Sequence, residues 1–221
     1  MTDVNTFYAL EKAFSPERMQ TYLDAARGDR VTALHHYARN AALGAAFHGP
    51  LQALEVVARN AMHAQLAKRY GNRWYMNPAA GLDGNARASI SSALKLGVRI
   101  RASEQFVASM SLGFWVRLLS RGGYIDDGLK ADYDRTLWRP ALHKAFPGRP
   151  RRVVHRRLDR MRQLRNRIAH HEPIFGLDLK EDYESLLDAV GWISSDVRAW
   201  IEHHSRLPAA LQAPLSASSR F

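Results

Sequence analysis

Apolar residues return every three or four positions along almost the whole of this 221-residue chain, and no stretch of useful length alternates with the two-residue period of a strand. That periodicity is the strongest constraint on the fold. A helical stripe has to be buried against another element, and no sheet is on offer. An all-α domain follows, with a helical bundle as the natural way to cover the stripes. Nothing repeats at a fixed interval, so no solenoid is expected. Hydrophobic residues make up 46% of the chain, enough for a core at this length. The residues 1–205 are read as one domain, and 206–221 as an irregular tail.

Punctuation divides the helices. Ser15-Pro16-Glu17 opens one with a cap and a first-turn proline, and Gly28 closes it. Asp29 can cap a second, running to about Phe47, where Gly49-Pro50 marks a break. Residues 51–70 predict a long helix stopping at Gly71, followed by a loop to Gly84. Helices are expected over about 85–100 and 104–120, broken by Gly122-Gly123. Short helical pieces lie between Pro140, Pro147 and Pro150. A helix then covers about 151–169, and Asp178 with Glu181 caps a last long one ending near His204.

The chain has no cysteine, which excludes disulfides, thiolate metal sites and a cysteine nucleophile. This fits a reducing, cytoplasmic setting. No apolar leader is read at the N-terminus, and no uncharged run approaches the roughly 20 residues that span a bilayer, so no membrane partner is expected. The net charge is +11, and it is unevenly spread. Residues 149–167 hold nine arginines against one aspartate, and residues 168–205 carry a net −6. Arginine suits bidentate phosphate contact, so RNA is the leading partner class. The plain alternative is a solvated basic helix neutralised by the acidic one after it.

On the 151–169 helix, Val154, Leu158, Met161 and Ile168 form an apolar stripe. Arg165 stands in that stripe and is expected to point toward the core or a protein interface, where it needs a carboxylate or a phosphate. Asn166 and His170 are four apart and share a face. Arg165 and His170 are five apart, about 140° around a regular helix, so they converge only if the helix ends or tightens near 169–171. Pro173 favours such an ending. A second row, Glu55, Arg59 and His63, is spaced by four. It reads either as an ordinary i,i+4 pair with a satisfied histidine, or as a charge partner facing the Arg165 helix.

The segment "LRNRIAHHEPIF" resembles the hallmark of the abortive-infection (Abi-like) family of bacterial proteins, within the HEPN superfamily of ribonucleases. "LEVVARNAMHAQLAKRYG" at 54–71, "LGFWVRLL" at 112–119, "LW" at 137–138 and "FP" at 146–147 extend the likeness over roughly residues 15 to 200. The resemblance implies a HEPN-like helical bundle with additional helices and an RNA-cleaving activity in phage defence or toxin–antitoxin control. Arg165 and His170 match the fixed positions of the superfamily's Arg–His motif, and Asn166 matches its polar residue. Glu55, Arg59, His63 and His171 would support them. A single clear motif implies a homodimer, with two motifs meeting across a two-fold axis.

Two copies of His170 would then share the general base and acid roles, and Arg165 would stabilise charge on the phosphate. Arg156, Arg160, Arg162 and Arg167 would track the backbone of a tRNA, an mRNA or a structured noncoding RNA. No cofactor and no metal is expected: Phe175 and Pro173 exclude the helical H-E-x-x-H pattern. Trp115 and Phe114 read as core or dimer interface. An inactive RNA-binding module and a purely structural helical protein are the other function classes.

Overall fold

Asp3 starts the first helix, α1 (Val4–Phe14), by accepting the Thr6 N–H on its carboxylate at 2.7 Å. Ser15 then ends α1 and caps α2 (Pro16–Ala25), in a backbone conformation with φ at 97° that L residues rarely adopt. The sequence pattern placed no helix ahead of Ser15. The computed structural model describes residues 3–95, 103–126 and 128–215.

The third helix, α3 (Arg30–Tyr70), runs through Pro50, where the sequence predicted a break. Proline removes one N–H bond, and the turns on either side carry enough buried apolar surface to continue the helix. Leu43 and Phe47 are buried before it, and Leu51, Leu54, Ala58, Met62 and Leu66 after it. The remaining α-helices among the described residues are α4 (Gly84–Lys95), α5 (Ser103–Ser109), α6 (Leu112–Arg117), α7 (Arg151–Ala169), α8 (Leu179–Gly191), α9 (Ser195–His204) and α10 (Leu207–Gln212), with shorter helical turns at Trp74–Met76, Pro78–Ala80, Asp134–Trp138 and Leu142–Ala145. Among the described residues the only strands are a two-stranded antiparallel hairpin, β1 (Tyr124–Asp126) and β2 (Leu129–Lys130). The fold is all-α.

Two expected helices are split by serine caps. Ser111 takes the Phe114 N–H and starts α6. Ser194 takes the Val197 N–H at 3.3 Å and starts α9, so the last long helix becomes two, with Trp192, Ile193 and Ser194 between them. Of the expected irregular tail, residues 206–215 are more ordered than their composition suggests and include α10, while 216–221 lie outside the described residues. Leu207 is buried, and the Arg39 guanidinium donates to the carbonyls of Leu211 and Ala213.

The chain divides into two compact units. The first takes Met1–Leu51, Leu164–Glu184 and His203–Phe221, and the second takes Gln52–Gln163 and Ser185–Glu202. In the first, Phe7, Met19, Tyr22, Ala26, Ala33 and Leu34 form a core, with Tyr37 and Phe175 packed on it. In the second, Trp74, Tyr75, Phe106, Phe114 and Trp115 form an aromatic cluster, with Tyr75 and Phe106 stacked at 3.7 Å. Trp115 is fully buried there and Phe114 nearly so, so both belong to the core and neither is a base-stacking platform.

Candidate functional site

The arginine-rich segment folds as α7, and its first three stripe residues, Val154, Leu158 and Met161, are fully buried. Beyond Met161 the stripe shifts. Leu164 is buried, whereas Arg165 is exposed and Ile168 half-buried. Of the two placements expected for Arg165, the core and a protein interface, its exposure excludes the core. Both 164 and 165 lie close enough to the stripe by helix angle to continue it, and the apolar side chain takes the place. A buried guanidinium needs a carboxylate, and among the described residues none forms an ion pair with Arg165.

The end of α7 is a Schellman motif. The His171 N–H bonds to the Ile168 carbonyl at 3.0 Å, and the Glu172 N–H reaches back to the Arg167 carbonyl at 2.8 Å. His171 supplies the left-handed residue, with φ at 57°, where glycine is usual. His170 precedes this tightening: its N–H still bonds to the Asn166 carbonyl at 2.9 Å, in ordinary α register. Arg165 and His170 therefore leave one helix about 140° apart, and the helix end does not bring them together. Both are exposed, and Asn166 is half-buried.

The segment after the motif is held firmly. The Arg18 guanidinium donates twice to the His171 carbonyl, at 3.1 and 2.9 Å. The Ile174 N–H donates to Asn40 Oδ1 at 2.7 Å, and Ile174 is buried. Arg167 pairs with Glu172 at 3.1 Å, and the Phe175 ring lies 5.4 Å from Tyr22 and from His36. Burial, with Arg39 and His35 nearby, lowers the pKa of His36. Arg18 and Asn40 were not found from the sequence. They lie 153 and 134 residues from their partners, and an isolated Arg or Asn on a helix carries no signal of that pairing.

Glu55, Arg59 and His63 are half-buried on α3 and belong to the second unit, whereas Arg165, Asn166 and His170 belong to the first. Among the described residues Glu55 and Arg59 form no ion pair, and Arg59 Nε is buried with no hydrogen-bond partner. His63 is a satisfied histidine: its Nδ1 accepts the indole N–H of Trp74 at 3.1 Å. Burial holds its pKa below the ordinary value, opposed by Glu104.

The arginines of α7 fall into two groups. Arg151 pairs with Asp134 at 3.4 Å, Arg157 with Asp188 at 2.8 Å, and Arg162 with Asp159 at 2.8 Å. Burial acts to raise the Asp159 pKa, but hydrogen bonds from Arg162 and Gln163 hold it below the usual value. Asp188 and Glu172 are two points at which the acidic segment neutralises α7. Arg152 and Arg156 are exposed like Arg165 and carry no ion pair among the described residues, while Arg160 is half-buried.

Two clefts of the second unit share the first turns of α7. One, of about 670 Å³, is lined by Arg121, Asp134, Trp138, Arg151 and Arg152. The other, of about 480 Å³, is lined by Arg149, Arg157, Asp188, Trp192 and Arg198. Among the described residues no three His, Asp or Glu side chains gather closely enough to hold a metal ion, and no helix is long and apolar enough to cross a membrane. No protein family, curated protein or solved structure matches the chain.

Proposed function

We propose that the protein is an RNA endonuclease of the abortive-infection type, acting in bacterial phage defence or as a toxin. Its centre is composed of Arg165, Asn166 and His170 from two copies of the chain. The observation that carries this reading is the end of α7: an exposed arginine and an exposed histidine on a clamped helix terminus, with no partner of their own among the described residues. A histidine with a structural role is tied to a neighbour, as His63 is to the Trp74 indole. Arg165 and His170 are left for a ligand.

RNA brings its own nucleophile, the 2′-hydroxyl. One His170 takes its proton as the oxygen attacks phosphorus. The bond from phosphorus to the 5′-oxygen breaks, and the His170 of the second copy gives that oxygen a proton. The products are a 2′,3′-cyclic phosphate and a 5′-hydroxyl end. Arg165 balances the extra negative charge on the phosphorane, and Asn166, one turn before His170, orients the imidazole or a phosphate oxygen. Arg152, Arg156, Arg160, Arg162 and Arg167 supply contacts to the backbone that carry affinity rather than sequence choice.

The test is incubation of end-labelled RNA with purified protein. Cyclic-phosphate products that disappear in His170→Ala and in Arg165→Ala, with both variants folded, support the proposal. Undiminished cleavage by both variants refutes the site. A gel shift with no product favours the second reading, an RNA-binding module. The separation of Arg165 and His170 on one helix favours that alternative, because a single chain does not bring the two to one phosphate as a complete acid–base centre.

A further inference from the structure

Arg149 stands two residues ahead of α7, Val153 and Arg157 follow at spacings of four within it, and the three make a row along one side of a cleft. The two guanidiniums of that row both lie against the indole of Trp192, at 5.3 and 5.0 Å from the ring centre. Trp192 is half-buried in the short break between α8 and α9. From α8, Asp188 holds Arg157 at 2.8 Å with one carboxylate oxygen and Arg198 at 3.2 Å with the other. Arg198 also reaches Glu202 through its Nε at 3.2 Å. The result is an open cleft of about 480 Å³ lined by three guanidiniums and one carboxylate, with Ser195 at the first turn of α9.

This is more than a surface salt-bridge cluster. Arg149 has no carboxylate partner among the described residues; the aromatic ring alone positions it. Arg157 gives one of its five N–H groups to Asp188, and among the described residues the others have no protein acceptor. An excess of positive charge therefore faces a cavity, on side chains already fixed by stacking and ion pairing. A ligand that binds there meets little further cost in side-chain ordering. A planar guanidinium set fixed in this way fits the oxygens of a phosphate group.

We propose that the Arg149–Arg157–Arg198 cleft around Trp192 is a phosphate-binding site for single-stranded RNA, built from the second unit and sharing no residue with the Arg165–His170 motif. The identity of the ligand rests on the RNA reading above, whereas the phosphate chemistry does not. The phosphate is either an internal diester of the strand or a 5′-terminal monoester, and the two are told apart by the probe.

The probes are two short 2′-O-methyl oligonucleotides labelled at the 3′ end, one with a 5′-phosphate and one with a 5′-hydroxyl. Neither can be cut by 2′-hydroxyl attack, so the measurement stands whether or not the protein is a nuclease. Fluorescence anisotropy gives the affinity at several salt concentrations. In Arg149→Glu, which breaks no ion pair, affinity falls about tenfold or more, and the slope of log affinity against log salt drops by roughly 0.7 for each phosphate that is no longer neutralised. Arg149→Lys restores part of the binding. Equal losses for the two probes assign an internal diester; loss of a preference for the 5′-phosphate probe assigns the terminal phosphate. Affinity and salt slope unchanged in both Arg149→Glu and Arg198→Ala would overturn the proposal, as would wild-type protein that binds neither probe at low salt.

Discussion

His171 separates a structural from a chemical role at the residue scale. A non-glycine residue in left-handed conformation costs about 1 kcal/mol, and His171 occupies the Schellman position where glycine carries no such cost. His171→Gly is expected to raise stability by about 1 kcal/mol in denaturant titration and to leave RNA cleavage intact; a stable variant without cleavage would move His171 into the chemistry. His63 gives a prediction in pH. Its folded pKa lies below the unfolded value near 6.5, so between these two values the unfolded chain holds the proton and the folded chain does not. Stability from His63 is present above that window and is lost as pH falls through it. Thermal melts of wild type and His63→Gln, which keeps an acceptor for Trp74, should diverge below about pH 6.5; parallel pH profiles would refute this. The placement of Arg165, Asn166 and His170 along the end of one helix was legible from the sequence, because α7 covers the span its apolar spacing predicts. The exposure of Arg165 was not, because helix angle alone does not choose between Leu164 and Arg165 for the buried place.

Boundaries between elements were the less legible part of the fold, and serines explain much of it. Ser111 and Ser194 are neutral inside a helix and favourable as caps, so a periodic apolar pattern runs straight through both while the backbone does not. At Pro50 the error has the opposite sign: a proline read as a stop is carried inside α3. The acidic residue before α4 was also missed, although Asp83 holds several elements of the second unit. It is buried, its carboxylate accepts the N–H groups of Ala86 at 2.8 Å and Gly123 at 2.8 Å, and its own N–H donates to the Tyr133 hydroxyl. Burial above all raises the Tyr133 pKa, so the hydroxyl remains protonated. Asp83→Ala removes a helix cap and strands the Gly123 N–H. It is expected to cost about 2 kcal/mol in chemical denaturation. A loss below a few tenths would show that water replaces the carboxylate at no cost.

For the whole molecule, the decisive question is how many chains make one centre. A single chain presents one Arg–His motif on a helix end, with its two members about 140° apart. The proposed chemistry needs one imidazole as base and another as acid. One chain carries only one His170, and the backbone of His171 forms the left-handed helix cap. On the proposed reading a two-fold dimer supplies the second imidazole, and that makes a quantitative demand on a mixed dimer. A dimer of one wild-type and one His170→Ala chain, isolated through different affinity tags, retains both RNA-binding surfaces and one imidazole. If the two histidines serve one centre, its cleavage rate falls about a hundredfold or more, since positioned acid–base groups contribute roughly 10² to 10⁴ each. If each chain held a complete centre, the mixed dimer would keep half the wild-type rate. A strict monomer by solution mass that still cleaves RNA would exclude the composite centre altogether, and the second proton-transfer group would then have to be found within the same chain.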